Sequence, residues 1–164
     1  LTWIDLVIRE LGPDVKIILT GLSMGAATVL MAAGEELPAN VVGVLADCGY
    51  SSAKEMIQKT IAEMHLPPKA AYPFVKLGAR LFGRFRLEED SPQEAILRCK
   101  VPVLFFHGEA DDFVPCEMSK DLYKQSISKN KKLAIFEGAD HGFSYIVDPK
   151  RYESLFDEFI SEVL

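Results

Sequence analysis

Cysteine is scarce in this chain: Cys48, Cys99 and Cys116 are the only 3 among 164 residues, and no two form a CxxC pair. An odd number at unrelated spacings excludes a disulfide framework and offers no structural zinc motif, so reduced thiols and a cytoplasmic setting are expected. Positive charge is also in short supply, with Lys+Arg 18 against Asp+Glu 24 and a net charge of −6. A chain that acidic lacks the basic field that nucleic-acid binders turn toward phosphates, so no DNA or RNA partner is expected. Long apolar runs are missing too. The stretches 103–106 and 26–33, the latter interrupted by Thr28, fall far short of the ~18 residues of a membrane-spanning helix, so no membrane span is expected in this segment. There is no internal repeat and no low-complexity tract. With Gly 11, Pro 9 and 49% hydrophobic residues, the chain has the make-up of one globular domain with a real core.

What is present has an alternating rhythm. Trp3, Ile4, Val7, Ile8 and Leu11 follow the helical period, and Gly12-Pro13 stops that helix. Residues 15–19 read as a strand buried on both faces of a parallel sheet, and 24–34, rich in Gly and Ala, as a helix able to pack very close to it. Further strands are expected at 41–46, 101–106 and 132–136, with a helix at 117–126 and a strongly amphipathic last helix that starts at Asp148-Pro149. This is the strand–helix–strand alternation of a parallel α/β sheet. Residues 53–98 break the rhythm with helical patterns cut by Pro67-Pro68, Pro73 and Ser91-Pro92, and are read as a helical cap insertion.

The residues that carry chemistry fall at strand ends. Gly21-Leu22-Ser23-Met24-Gly25 is a Gly-x-Ser-x-Gly pentapeptide placed between a buried strand and a small-residue helix. In that context it reads as a nucleophile elbow, a strained turn that lifts a serine above the sheet at a helix N-terminus suited to an oxyanion. A serine hydroxyl needs a base, and the base needs an orienting acid. Three histidines exist. His65 sits in the cap beside Pro67, and His107 reads as a strand-end ring bonded to backbone, which leaves His141, in Gly138-Ala139-Asp140-His141-Gly142, as the base. Asp111 is the preferred acid, with Asp112, Glu109 and Asp140 as competitors. Ser23, Asp111 and His141 then all occupy loops at the carboxyl ends of parallel strands, in Ser-Asp-His chain order.

Together with Asp47-Cys48-Gly49-Tyr50-Ser51-Ser52 and Phe113-Val114-Pro115, these motifs make the chain resemble the α/β-hydrolase superfamily, and within it bacterial serine hydrolases described as prolyl-oligopeptidase-like or acyl-transferase-like. The resemblance covers nearly the whole chain. It implies a Ser-His-Asp enzyme that cleaves an ester, thioester or amide through an acyl-serine, with Ser23 as nucleophile, His141 as base, Asp111 as acid and the Met24 amide as one oxyanion donor. No cofactor and no metal are implied, and the partner is a small-molecule ester or acyl substrate. Acyl transfer, or a noncatalytic binding domain on the same fold, is the alternative. In such families the elbow follows the fifth of about eight strands, so residues 1–164 are expected to be the carboxyl-terminal portion of a longer chain, holding four parallel strands of the second half of the sheet plus the 53–98 cap. The loop that supplies the second oxyanion donor would then be absent, and a homo-oligomer or a retained amino-terminal fragment is expected to cover the first strand. Tyr50, Tyr72, Phe74, Phe82 and Phe143 are the expected pocket residues. The basic stretch Lys76, Arg80, Arg84 and Arg86, interleaved with Leu77, Leu81, Phe82 and Phe85, reads as a cap helix with a solvated face rather than a membrane-surface helix.

Overall fold

Strand β1 (Ile17–Leu22), strand β2 (Val41–Asp47), strand β3 (Val103–Gly108) and strand β4 (Lys131–Phe136) pair in parallel, in the order β1-β2-β3-β4, in the computed structural model, which describes residues 1–164. Parallel neighbours need a crossover, and helices supply each one. Helix α1 (Thr2–Leu11) precedes β1, and α2 (Met24–Ala33) links β1 to β2. Three helices, α3 (Ala53–Glu63), α4 (Pro68–Gly78) and α5 (Pro92–Ile96), lie between β2 and β3, with a π-helical turn, Ala79–Gly83, continuing α4. Helix α6 (Cys116–Gln125) joins β3 to β4, and α7 (Ser144–Val147) and α8 (Pro149–Val163) close the chain.

The two central strands are apolar and buried on both faces, as helix-covered parallel strands must be. Successive side chains alternate between two cores. Val44, Ala46, Val103 and Phe105 face Ala26, Leu30, Ile96 and Leu122 on one side of the sheet. Leu45, Leu104 and Phe106 face Phe159 of α8 on the other. Helix α5 thus contributes Ala95 and Ile96 to the layer that covers the sheet, within the stretch 53–98. Helix α8 starts where Asp148 accepts the Arg151 N–H at 3.1 Å and Pro149 occupies the first turn, where its missing N–H costs nothing.

The first strand requires a correction to the expectation that it is buried on both faces. β1 runs two to three residues further along the chain than the 15–19 expected, and its residues are only partly buried, with Thr20 and Leu22 exposed. The reason is positional: β1 has β2 on one side and no strand on the other. The apolar side chains of the basic stretch and of α4 beside it are likewise exposed, Phe82 at 88% and Phe74 at 76%. No helix of the chain is long and apolar enough to cross a membrane.

Candidate active site

The site is built by three strand ends and the turns that follow them. At the end of β1 the chain reverses into α2 through Ser23, whose backbone takes φ 54 and ψ −115, a region that L-residues rarely visit. Two contacts impose that geometry. The Ser23 N–H donates to the Asp47 carbonyl at 2.8 Å, tying the turn to the end of β2. A Cβ at Gly21 would meet the Gly25 carbonyl carbon and oxygen at 2.2 Å, so only glycine lets strand and helix approach this closely. Met24 opens α2, and its N–H donates to no backbone carbonyl of the chain. That donor, unused by the backbone and at the positive end of a helix, is of the kind that can meet a negatively charged oxygen.

His141 reaches Ser23 from the turn after β4, where Gly138 and Gly142 adopt φ 69 and 73. Its Nε2 is 2.9 Å from Ser23 Oγ and its Nδ1 is 2.7 Å from Asp111 Oδ2. Because an ionised carboxylate only accepts, Nδ1 carries the proton, and Nε2 is left as the acceptor for the serine hydroxyl. Asp111, buried in the turn after β3, is held by its other oxygen: Oδ1 accepts the N–H of Phe113 at 3.0 Å and of Val114 at 2.7 Å. The Phe113 ring stands edge-on to the His141 ring, with centroids 5.0 Å apart.

The competitors are elsewhere. Glu109, Asp112 and Asp140 are exposed, with Asp140 accepting the His141 backbone N–H at 2.7 Å, and His65 is exposed beyond α3. His107 is fully buried, and its Nε2 meets the Val114 carbonyl at 2.9 Å.

Two further buried groups flank the elbow. Burial raises the pKa of Asp47, while hydrogen bonds from Tyr152 at 3.1 Å and Ser144 at 3.3 Å oppose that rise. Burial, reinforced by the nearby Asp47 charge, pushes the Cys48 thiol up to about 12. Ligand atoms of Cys48, Asp111 and His141 lie within 4.8 Å of one another. The carboxylate and the imidazole are already bonded to each other and the thiol is held protonated, so hydrogen bonding, not metal ligation, describes this group.

Beside Ser23 opens a cavity of about 430 Å³ lined by Met24, Tyr50, Met56, Ile57, Ile61 and Val75, among others. Of the five aromatic residues expected at the pocket, Tyr50 is there. Tyr72 is turned into the helical layer with its hydroxyl on Glu88, and Phe74, Phe82 and Phe143 are exposed and do not line the cavity. Aliphatic and thioether side chains of α3 take their place. Their signal is in the sequence: Met56, Thr60 and Met64, with Ile57 and Ile61, repeat every four residues and so share one face.

Known proteins share this fold. Residues 85–145 match the family model of the serine aminopeptidases, S33. Over 144 residues the chain is 31% identical to the uncharacterized protein YqkD of Bacillus subtilis, covering 87% of this chain and 47% of that protein. An esterase of Pyrococcus furiosus superposes with a TM-score of 0.70 at 22% identity, over 99% of this chain and 59% of its own. An acylaminoacyl peptidase of Pyrococcus horikoshii does so with a TM-score of 0.67 at 20% identity, over 98% of this chain and 26% of its own. The fold of the chain is that of part of an α/β-hydrolase. It spans about half the length of the curated relative it matches.

Proposed function

We propose that the protein is a serine hydrolase that cleaves an ester, thioester or amide of an uncharged acyl group. The observation that carries the reading is the single His141 ring, which accepts from Ser23 on one edge and donates to Asp111 on the other. In this reading Ser23 Oγ attacks the carbonyl carbon as its proton passes to His141 Nε2. The oxyanion that forms is met by the Met24 N–H. Collapse of the adduct expels the alcohol, thiol or amine, which takes the proton from His141 and leaves an acyl group on Ser23. Water, deprotonated by the same ring, then releases the acid.

The cavity narrows the acyl group. Its lining includes no charged residue, and thioethers adapt to chains of varied shape. Helices α3 and α4, but not α5, serve in this reading as a cap, since they supply Met56, Ile57, Ile61 and Val75 to the cavity wall. Each methylene buried there contributes about 0.8 kcal/mol, or about a fourfold gain in kcat/KM.

Two measurements test the proposal. A fluorophosphonate probe is expected to modify Ser23, mapped by peptide mass spectrometry; labelling of another serine, or labelling that survives Ser23→Ala, would overturn it. A series of p-nitrophenyl esters is expected to be hydrolysed with kcat/KM rising with acyl length until the cavity is full, and with Asp111→Asn lowering turnover by roughly ten thousandfold. Equal rates for Asp111→Asn and wild type would remove Asp111 from the mechanism.

A further inference from the structure

We infer that His107, with Ser119 behind it, is a positioning residue that holds the Asp111 carboxylate in register for His141; the inference rests on the serine-hydrolase reading above. His107 closes β3 just before Gly108 and is fully buried. A buried imidazole with two polar nitrogens must place both of them. Its Nε2 lies 2.9 Å from the Val114 carbonyl and 3.1 Å from Asp111 Oδ2. Neither oxygen has a hydrogen to give, so Nε2 carries the proton, donates it to the Val114 carbonyl and turns the positive edge of the ring toward the carboxylate. Nδ1 lies 2.7 Å from Ser119 Oγ, on the buried face of α6. The neutral ring can only accept there, and the Ser119 hydroxyl donates to it at 2.7 Å in preference to the Gly49 carbonyl at 3.5 Å. The Val114 carbonyl fixes the tautomer of His107, and Ser119 satisfies the remaining nitrogen and holds the ring in place.

The consequence is in the count of donors. Oδ1 of Asp111 accepts two backbone N–H groups, and Oδ2 accepts His141 on one side and lies 3.1 Å from the proton-bearing Nε2 edge of His107 on the other. Without His107 the carboxylate keeps its backbone anchors but is free to pivot about them, and Oδ2 is the atom that swings. The charged oxygen that orients the base is thus itself oriented by a second histidine that never touches substrate. Two residues behind the carboxylate, in β3 and α6, share the work usually credited to it alone.

The test compares rates of fluorophosphonate labelling at Ser23 in the intact protein. His107→Leu is expected to slow labelling about tenfold, through loss of the polar edge beside Oδ2 and of the bond to the Val114 carbonyl. His107→Gln, whose side-chain N–H₂ can still reach Oδ2, is expected to restore most of the rate. In an Asp111→Asn background, where no carboxylate charge remains to be positioned, His107→Leu is expected to change the rate by less than about threefold. Equal slowing in both backgrounds, or no recovery with Gln, would reduce His107 to general structural support and overturn the inference. If His107→Leu does not melt cooperatively, Ser119→Ala carries the test: its loss leaves Nδ1 without a donor and the ring free to tilt away from Asp111, and labelling is expected to slow severalfold, whereas an unchanged rate would overturn the inference. A wild type that is never labelled at Ser23 would instead overturn the serine-hydrolase reading itself.

Discussion

Ser23 is held in a backbone conformation that glycine adopts freely and serine does not. Such strain costs on the order of 1–3 kcal/mol, and the structure around the turn must supply it. Ser23→Gly is therefore expected to abolish labelling while stabilising the fold by about 1 kcal/mol, which raises the melting temperature by about 2–4 °C. Thermal melts of the two proteins check this, and a lower melting temperature for the glycine variant would contradict it. One turn away, Cys48 stores a different kind of cost. Its thiol is pushed up to about 12 by burial, whereas an unfolded cysteine titrates near about 8.5. The folded-state value is the higher one, so stability is fully present below the unfolded value. It is lost as pH rises from there toward about 12, because the unfolded chain gives up its proton first. Denaturation midpoints between about pH 8 and 11 are expected to fall with pH, and Cys48→Ala to flatten that fall. Cys99, pushed up to about 11, contributes in the same direction.

At the scale of elements, the proposed function gives helix α3 the part of setting how much of an acyl chain fits. Ile57 and Thr60 stand on the cavity face of a helix whose other side is polar, so a larger side chain at either position shortens the cavity without touching the sheet. Ile57→Trp is expected to move the preferred p-nitrophenyl ester to a shorter acyl group with little change on acetate, measured as kcat/KM across the series. Which elements the sequence reveals, and which it hides, follows from what defines each. Periodicity locates α1, α2, α6 and the start of α8 within a residue or two, because burial of one face leaves a pattern in side-chain type, while the separate helices of 53–98 carry no such bounds. Of the strands, β2 and β4 fall within a residue of expectation, and β1 and β3 are displaced. β3, expected at 101–106, occupies Val103–Gly108, since hydrophobicity marks what is buried while the ladder marks what is paired. Val101 and Pro102 are apolar but stand outside the ladder, and His107 and Gly108 are inside it opposite Ile135 and Phe136. The Ser23, Asp111 and His141 arrangement is legible because each residue sits in a short motif tied to a strand end. The cavity is not, because aromatic residues advertise burial that the fold here gives to methionine and isoleucine.

For the molecule as a whole, the free side of β1 matters most. Its outer backbone groups pair with no strand, and the residues beside them are half-exposed and apolar. Soluble proteins usually cover or charge such an edge. We propose that the 164-residue chain by itself associates through this edge, and expect light scattering to give a mass above its 18.2 kDa at micromolar concentration. Lys or Pro replacing Thr20 is expected to lower that mass, and a monodisperse monomer would argue against the edge as the contact.

The spacing of the three site residues has a kinetic corollary. Ser23 meets His141 across 118 positions of chain, and Asp111 meets it across 30. No local segment contains the site, so it cannot exist in a partly folded chain whose helices are already formed. Contacts so distant in sequence close late, because the entropy of a long loop is surrendered before its ends reward it. During refolding, the helical signal should return ahead of reactivity at Ser23, and under mild denaturant reactivity should be lost while most of the helix persists. The hydroxyl's nucleophilicity is then a gauge of whether the last joint of the fold has closed.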